Sequence, residues 1–359
     1  MPRHVLQVVL LAAAAAVSPM PAVRGEVVGN WDFSSGSFAS LTGTIGLSEL
    51  RTKSYYGSFG GQPGIPATEF VSPASFGISG PGGASRTVLR VPNTAGYGPM
   101  GGLIAEFPRR VNATTNSLNR YTIVTDVLVR QAAYDAVYDR GIRRYMSLFQ
   151  TAPTSDGDLF IEVRDQPGPE AARPLGVGGV YAGDVTADQW HRIAWVATLD
   201  APTSEPRFRS YVNGQPAGTL VWDELAAQSA NDSVKRDLTD PSRPWEALGL
   251  DGRFSIATLG QVSGGQLPDY GTSAFFLFND NADEVGEVFV ANLQFRDDAL
   301  SASEVLALGG VTGQPIPVPE PASLALAAMG FVTASLIRTY RWRSTTASRA
   351  PPFGPGSPA

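Results

Sequence analysis

The 359-residue chain contains two histidines, His4 and His191, and no cysteine. Disulfides, thiolate metal sites and cysteine nucleophiles are therefore excluded. His4 lies in an N-terminal stretch expected to be removed, which leaves His191 as the one candidate general base near neutral pH. By strand alternation His191 shares parity with Ile193, Trp195, Ala197 and Leu199, a core-facing row, so a structural role is expected of it. No Gly-x-Ser-x-Gly elbow presents a serine that it could activate.

Carboxylates are the next candidates. Glycoside cleavage needs two of them flanking one bond, roughly 5–10 Å apart. A Glu-x-Asp-x-x-Glu or Glu-x-Asp-x-Glu strand would supply such a pair, and neither run occurs. The nearest clusters are Asp156, Asp158 and Glu162, and the run from Asn279 to Glu287. Within the second, Asn279, Asp280, Asn281, Asp283 and Glu284 gather several oxygen donors in six positions. That is the donor type calcium takes from an irregular loop, without the spacing of an EF-hand. Two readings stand open for it: a calcium loop, or a solvated acidic turn between strands. Tyr134, Tyr138, Tyr181, Trp222, Trp245, Tyr270 and the pair Tyr55-Tyr56 adjoin turn-like stretches, where aromatic rings can stack on sugars. No phosphate-binding loop, dinucleotide glycine set or His-Glu-x-x-His run is present. Asn112-Ala-Thr114 and Asn231-Asp-Ser233 match the short glycosylation pattern.

These residues must be positioned by strands. Hydrophobic residues make up 43% of the chain and charged ones 17%, enough for a sizeable core, and 39 Gly with 28 Pro imply many turns. Short β-rich runs bounded by Gly, Pro, Asn and Asp recur at 27–33, 87–91, 103–107, 121–130, 145–150, 159–164, 190–199, 207–212, 218–222, 253–258, 274–279 and 285–295. About a dozen strands with almost no crossover helices predict an all-β, antiparallel sandwich rather than a parallel sheet. Asn213-Gly214 between apolar-rich runs predicts a two-residue hairpin, because both central residues of a type I′ turn need positive φ. One short helix is expected over 300–309, capped by Ser301, boxed by Glu304 and stopped by Gly309.

The run Gln189-Trp190-His191-Arg192-Ile193-Ala194-Trp195, the Tyr211-Val212-Asn213-Gly214 hairpin, and the closing 288–295 strand with its short helix occur in this order. Together they resemble a concanavalin A-like lectin/glucanase domain of laminin G-like type. The resemblance is clear from about Tyr121 to Gly310 and weaker over 26–120. It implies a jelly-roll sandwich over 26–312, a glycan partner, and by analogy calcium at the rim, where 279–284 would hold it. Extended insertions are expected at 34–86 and 225–250.

The two ends carry addresses. Residues 1–25 read as a secretory signal peptide: Arg3, a mostly apolar 13-residue stretch over 5–17, then Pro19 and Pro21 ahead of a cleavage point before Glu26. At the other end, a proline-rich linker over 313–321 holds Pro319-Glu320-Pro321. An apolar 16-residue run over 322–337 follows, then Arg338, Arg341 and Arg343, as a short transmembrane helix with a positive stop. This order resembles the PEP-CTERM protein-sorting signal of bacterial exported proteins, which spans 318–343 here and leaves a tail at 344–359. The resemblance implies recognition by an exosortase, a membrane transpeptidase-like enzyme, and delivery to the cell surface or extracellular polysaccharide.

Charge agrees with that destination. Six of the 27 Lys and Arg lie in the two ends, but only one of the 33 Asp and Glu, which leaves 26–312 at a net −11. Such a body repels phosphate backbones, and no nucleic-acid partner is expected. The reading is an exported, non-catalytic protein bound to or packed into glycan. A glycan-active hydrolase or lyase and a purely structural envelope protein are the alternatives.

Overall fold

A computed structural model describes residues 26–43, 45–53, 64–97, 101–109, 118–141, 144–151, 159–164, 171, 173–177, 180–201, 205–221, 256, 272–280 and 283–318. The signal peptide, Pro319 to Pro321, the 322–343 helix with its arginines, the tail, Asn281, both glycosylation patterns and the 225–250 insertion lie outside these residues. Among the described residues no helix is long and apolar enough to cross a membrane.

In chain order the strands are β1 Val27–Asp32, β2 Thr42–Gly43, β3 Gly46–Glu49, β4 Glu69–Val71, β5 Val88–Val91, β6 Leu103–Pro108, β7 Arg120–Leu128 and β8 Tyr145–Gln150. There follow β9 Leu159–Glu162, β10 Leu175–Val177, β11 Val180–Ala182, β12 Trp190–Thr198, β13 Pro206–Val212, β14 Gln215–Val221, β15 Thr272–Leu277 and β16 Val288–Arg296. They form two sheets in which every pairing is antiparallel. One runs β14-β13-β12-β7-β16-β1-β2, with β5 also on β16 and β4 on β5; the other runs β11-β10-β9-β8-β15-β6-β3. The expected antiparallel sandwich is what forms. Residues 34–110 supply strands to both sheets, with β2, β4 and β5 in the first and β3 and β6 in the second.

The sheets meet through alternate apolar residues. Trp31, Ile123, Val127, Ile193, Trp195, Leu293 and Phe295 of the first join Leu103, Ala105, Phe107, Leu148, Leu159, Ile161 and Phe275 of the second in one buried cluster. Aromatic rings bridge the layers: Phe295 lies 4.7 Å from Phe275 and 5.2 Å from Phe107, and Tyr121 lies 5.8 Å from Phe149. Offset and edge contacts of this kind add to the burial of the rings.

Local chemistry sets the turns. Asn213 and Gly214 have φ of 53° and 78°, and Val212 pairs with Gln215, which is the predicted two-residue hairpin. The C-terminal helix covers Ala302–Leu308. The Ser301 hydroxyl accepts from the Glu304 amide and the Glu304 carboxylate accepts from the Ser301 amide, closing the predicted capping box. A second helix, Gln131–Tyr138, is absent from the sequence reading. It inserts Ala133, Tyr134 and Val137 into the core, with the Tyr134 hydroxyl donating to the Val185 carbonyl at 2.8 Å. Tyr134 is thus a core residue, not a loop aromatic. Its signal was the 133, 134, 137 apolar spacing of a single helical face.

Candidate functional site

The outer face of the nine-stranded sheet carries polar residues where an apolar face would be simplest. Asp32 on β1, Asn292 on β16, Asp126 on β7 and Arg192 on β12 stand opposite one another across four strands. One step along, Asn30, Gln294, Val124 and Ala194 form a second row, half polar and half apolar. Asp126 and Arg192 are wholly buried and joined by two hydrogen bonds of 2.7 and 2.9 Å. Asn292 Nδ2 donates to Asp126 Oδ2 at 2.7 Å, and Arg86, paired with Asp32, also reaches Asn292 Oδ1 at 3.3 Å.

What covers these rows is the chain's own C-terminal segment. Leu300, Val305, Leu308 and Ile316 pack on Val124, Ala194, Val196 and Tyr211. Beyond the helix the segment passes over the polar half. The Leu308 carbonyl accepts from Arg192 at 2.6 Å, Gly313 from Arg86 at 2.6 Å and Gln314 from Asn292 at 3.0 Å. Ile316 accepts from Asn30 and Gln294, both at 3.4 Å, and Pro317 from Gln294 at 3.3 Å.

Proline explains why this is not a strand. Pro315 and Pro317 have no N–H, so the segment offers carbonyls but few donors and cannot complete a β ladder. Side-chain amides and guanidiniums on the sheet supply the missing donors instead. The same mismatch leaves acceptors over: Asn30 Oδ1 and Gln294 Oε1 are buried and meet no donor among the described residues. Gly313, at φ 75°, lets the segment touch the turn at Pro81, since a Cβ there would lie 2.6 Å from the Pro81 carbonyl oxygen. Residues 313–317, the start of the proline-rich linker expected over 313–321, belong to the compact unit Gly25–Pro317 and are seated on its sheet. Sequence reasoning missed these polar rows. Their signal was the alternation Asn292, Gln294, Arg296 within an otherwise apolar strand.

The acidic run is held together internally. Asp280 is fully buried, accepts from Gln150 Nε2 at 2.8 Å, and takes the Glu284 amide at 3.2 Å. Asn279 is buried and donates to the Gly101 carbonyl at 2.9 Å. Asp283, at φ 65°, caps the Gly96 amide at 2.8 Å, and the Glu284 carbonyl accepts from the Ser147 amide at 2.7 Å. A cation is already present: Arg140 donates to the Asp283 and Val285 carbonyls at 2.5 and 2.6 Å and to Asn93 Oδ1 at 3.2 Å. Burial lowers the Arg140 pKa, against the pull of Asp283 and Glu284. Among the described residues no group of three or more Asp, Glu or His side chains is placed to hold a metal ion, and Asn281 lies outside them. Of the other carboxylate cluster, Asp156 and Asp158 lie outside the described residues, and Glu162 is paired with Arg164.

His191 is buried at the end of β12. Asn213 Oδ1 accepts from the Arg192 amide at 2.9 Å, which turns its amino group toward His191 Nδ1 at 3.3 Å. Nδ1 is therefore the acceptor, and Nε2–H faces the Thr186 carbonyl at 3.2 Å. Burial lowers the His191 pKa, outweighing the Thr186 contact and the nearby Asp184 charge. The imidazole fastens the hairpin to the Thr186 loop.

Aromatics gather on the outer face of the seven-stranded sheet. Tyr145 and Tyr181 are half-buried and stack with ring centroids 5.7 Å apart, inclined by 27°. Phe160 lies 5.9 Å from Tyr145, and the Arg164 guanidinium lies 5.9 Å over Tyr181. Tyr138 is covered by the Arg144 guanidinium at 3.8 Å. Trp222, Trp245, Tyr270, Tyr55 and Tyr56 lie outside the described residues.

Residues 317–341 match the PEP-CTERM protein-sorting motif, so the chain carries the sorting signal expected from its Pro-Glu-Pro, apolar and arginine order. No curated protein matches the chain. Among solved structures it is similar to domain 4 of AbnA, an extracellular arabinanase from Geobacillus stearothermophilus solved with arabinotriose. That likeness has 11% identity and a TM-score of 0.40, over 80% of this chain and 99% of that one. It is also similar to the binding domain of Paraclostridial Mosquitocidal Protein 1, at 11% identity and a TM-score of 0.41, over 79% of this chain and 51% of that one. Trypanosoma rangeli sialidase, solved with the inhibitor DANA, gives 15% identity and a TM-score of 0.32, over 67% of this chain and 28% of that one.

Proposed function

We propose that this is an exported protein that an exosortase-type enzyme sorts to the cell surface or the extracellular polysaccharide, and whose β-sandwich is a non-catalytic body associating with glycan. The observation that carries the reading is the sorting motif at 317–341. The stacked pair Tyr145 and Tyr181 supports the glycan half, because such rings offer an apolar face beside the polar tip of Arg164. The net −11 of residues 26–312 favours a neutral polysaccharide over an acidic one.

Two measurements on the full chain test the two halves. Cell fractionation should find the parent at the cell surface, and should find a variant lacking 318–343 released from the envelope. Equal distribution of both would count against sorting. Affinity electrophoresis in neutral polysaccharides should show retardation that Tyr145→Ala and Tyr181→Ala weaken several-fold, in keeping with roughly 1 kcal/mol per ring contact. Unretarded migration in every polysaccharide would leave the body a scaffold.

A further inference from the structure

The strand ladders divide the body into an early and a late-made group that meet through its last two strands. Strands β1 to β6 pair among themselves as β1-β2, β3-β6 and β4-β5. Strands β7 to β14 pair among themselves as β7-β12-β13-β14 and β8-β9-β10-β11. Among the described strands no ladder joins one group to the other directly. In the nine-stranded sheet β16 lies between β7 and β1 and also holds β5; in the other, β15 lies between β8 and β6. Ring contacts repeat the pattern, with Phe76 5.2 Å from Phe289 on β16 and Phe107 6.2 Å from Phe275 on β15. The closing segment bridges the groups again, its carbonyls accepting from Asn30 and Arg86 of the first and Arg192 of the second. Direct ties between the groups are side-chain bonds such as Trp190 Nε1 to the Ser79 carbonyl at 2.7 Å.

We infer that residues 272–317 are a keystone: β1 to β6 stay unfolded until these residues arrive, so the chain remains threadable for export until nearly all of its body has been made. The export half rests on the reading proposed above. Without the keystone the first group is three two-stranded ladders, with strands of two to six residues. Isolated ladders of that kind are marginal in water, and a third strand or a covered apolar face is needed for stability. Val28, Trp31, Leu89, Leu103 and Phe107 belong to the one core that β15 and β16 complete. Pairing Trp31 with Leu293 also closes a loop spanning almost the whole body, a cost offset only when β16 is seated on β7 as well. The second group is different, because its eight described strands pair mostly with near neighbours and can gather early. Strand β1 is therefore made first and seated last. A translocation channel admits such an extended segment and not a closed pair of sheets.

The chain has no cysteine, so one introduced thiol reports burial without background. Val28→Cys places it on β1, where the side chain is fully buried in the finished body. In ribosome-bound chains exposed only as far as residue 271, the thiol should react with a maleimide as fast as in denaturant. Once residue 317 is exposed the reaction should be more than about tenfold slower. Slow labelling in chains that stop before β15 would overturn the keystone. Pulsed amide exchange during refolding of the unaltered full chain decides the matter even if Val28→Cys folds poorly. Amides between β3 and β6 and between β4 and β5, whose partners all lie in the first group, should gain protection no earlier than those between β7 and β16. Earlier protection would overturn the inference. A full chain confined to the cytosol would overturn the export half alone, and the length at which the thiol becomes protected would still decide the keystone.

Discussion

At the scale of single residues, His191 and Arg140 each tie separate parts of the fold together. His191 is held neutral by a donor at Nδ1 and an acceptor at Nε2, and burial lowers its pKa. A proton on Nδ1 would set two donors against each other. Its folded pKa lies below the ordinary value near 6.5, so its contribution to stability is whole above about pH 6.5 and is lost as pH falls through the folded value. The gap in melting temperature between the parent and His191→Gln should shrink from pH 7.5 to pH 5, and a constant gap would contradict this assignment. Arg140 is the second case. Its guanidinium bonds two carbonyls and a side-chain amide around the acidic run, a fork that lysine cannot copy. Arg140→Lys and Arg140→Ala should each lower unfolding stability by about 2 kcal/mol in urea titrations. Full rescue by lysine would show that charge alone suffices. His191 was legible because strand parity fixes a face. Arg140 was not, since its partners lie far along the chain and nothing at position 140 announces them.

At the scale of elements, two features decide how the C-terminal segment meets its sheet. Asp126 and Arg192 are buried opposite each other, and removing one partner strands the other's charge without water. Asp126→Ala should cost about 3–5 kcal/mol in unfolding free energy, the range for breaking a buried pair. A loss below 1 kcal/mol would mean that Arg192 finds other partners. Gly313→Ala must adopt a left-handed φ and drive its Cβ toward the Pro81 carbonyl, so it should destabilise the body by about 1–2 kcal/mol and raise amide exchange over 309–317. Unchanged exchange there would argue that the contact is dispensable. Most strands were legible, because apolar alternation and the Asn213-Gly214 turn are local signals. The short strands β2, β3, β4, β10 and β11 were not, being two to four residues long and fixed only by their neighbours. The expected strand at 253–258 is described only at Ile256, which bridges Leu118. The seating of residues 313–317 was not legible for a related reason. Proline signals an extended chain, but only the polar rows, which fall on one face once β1, β16, β7 and β12 are in register, show that it is seated.

At the scale of the whole molecule, the chain joins an antiparallel β body to a protein-sorting motif at 317–341. A cysteine-free body whose stability rests on two packed sheets suits export, since its folding needs no disulfide chemistry in the compartment it enters. The signal itself was fully legible, because its proline triplet, apolar run and arginines are all local. Which glycan the body meets was not, because a binding face is assembled from several strands. The most direct measurement is the intact mass of the protein recovered from the outer surface of its own cells. Sorting predicts a chain that begins at Glu26 and ends before Arg338, with both addresses removed. Recovery of the complete 359-residue chain, found in the cytosol alone, would contradict it.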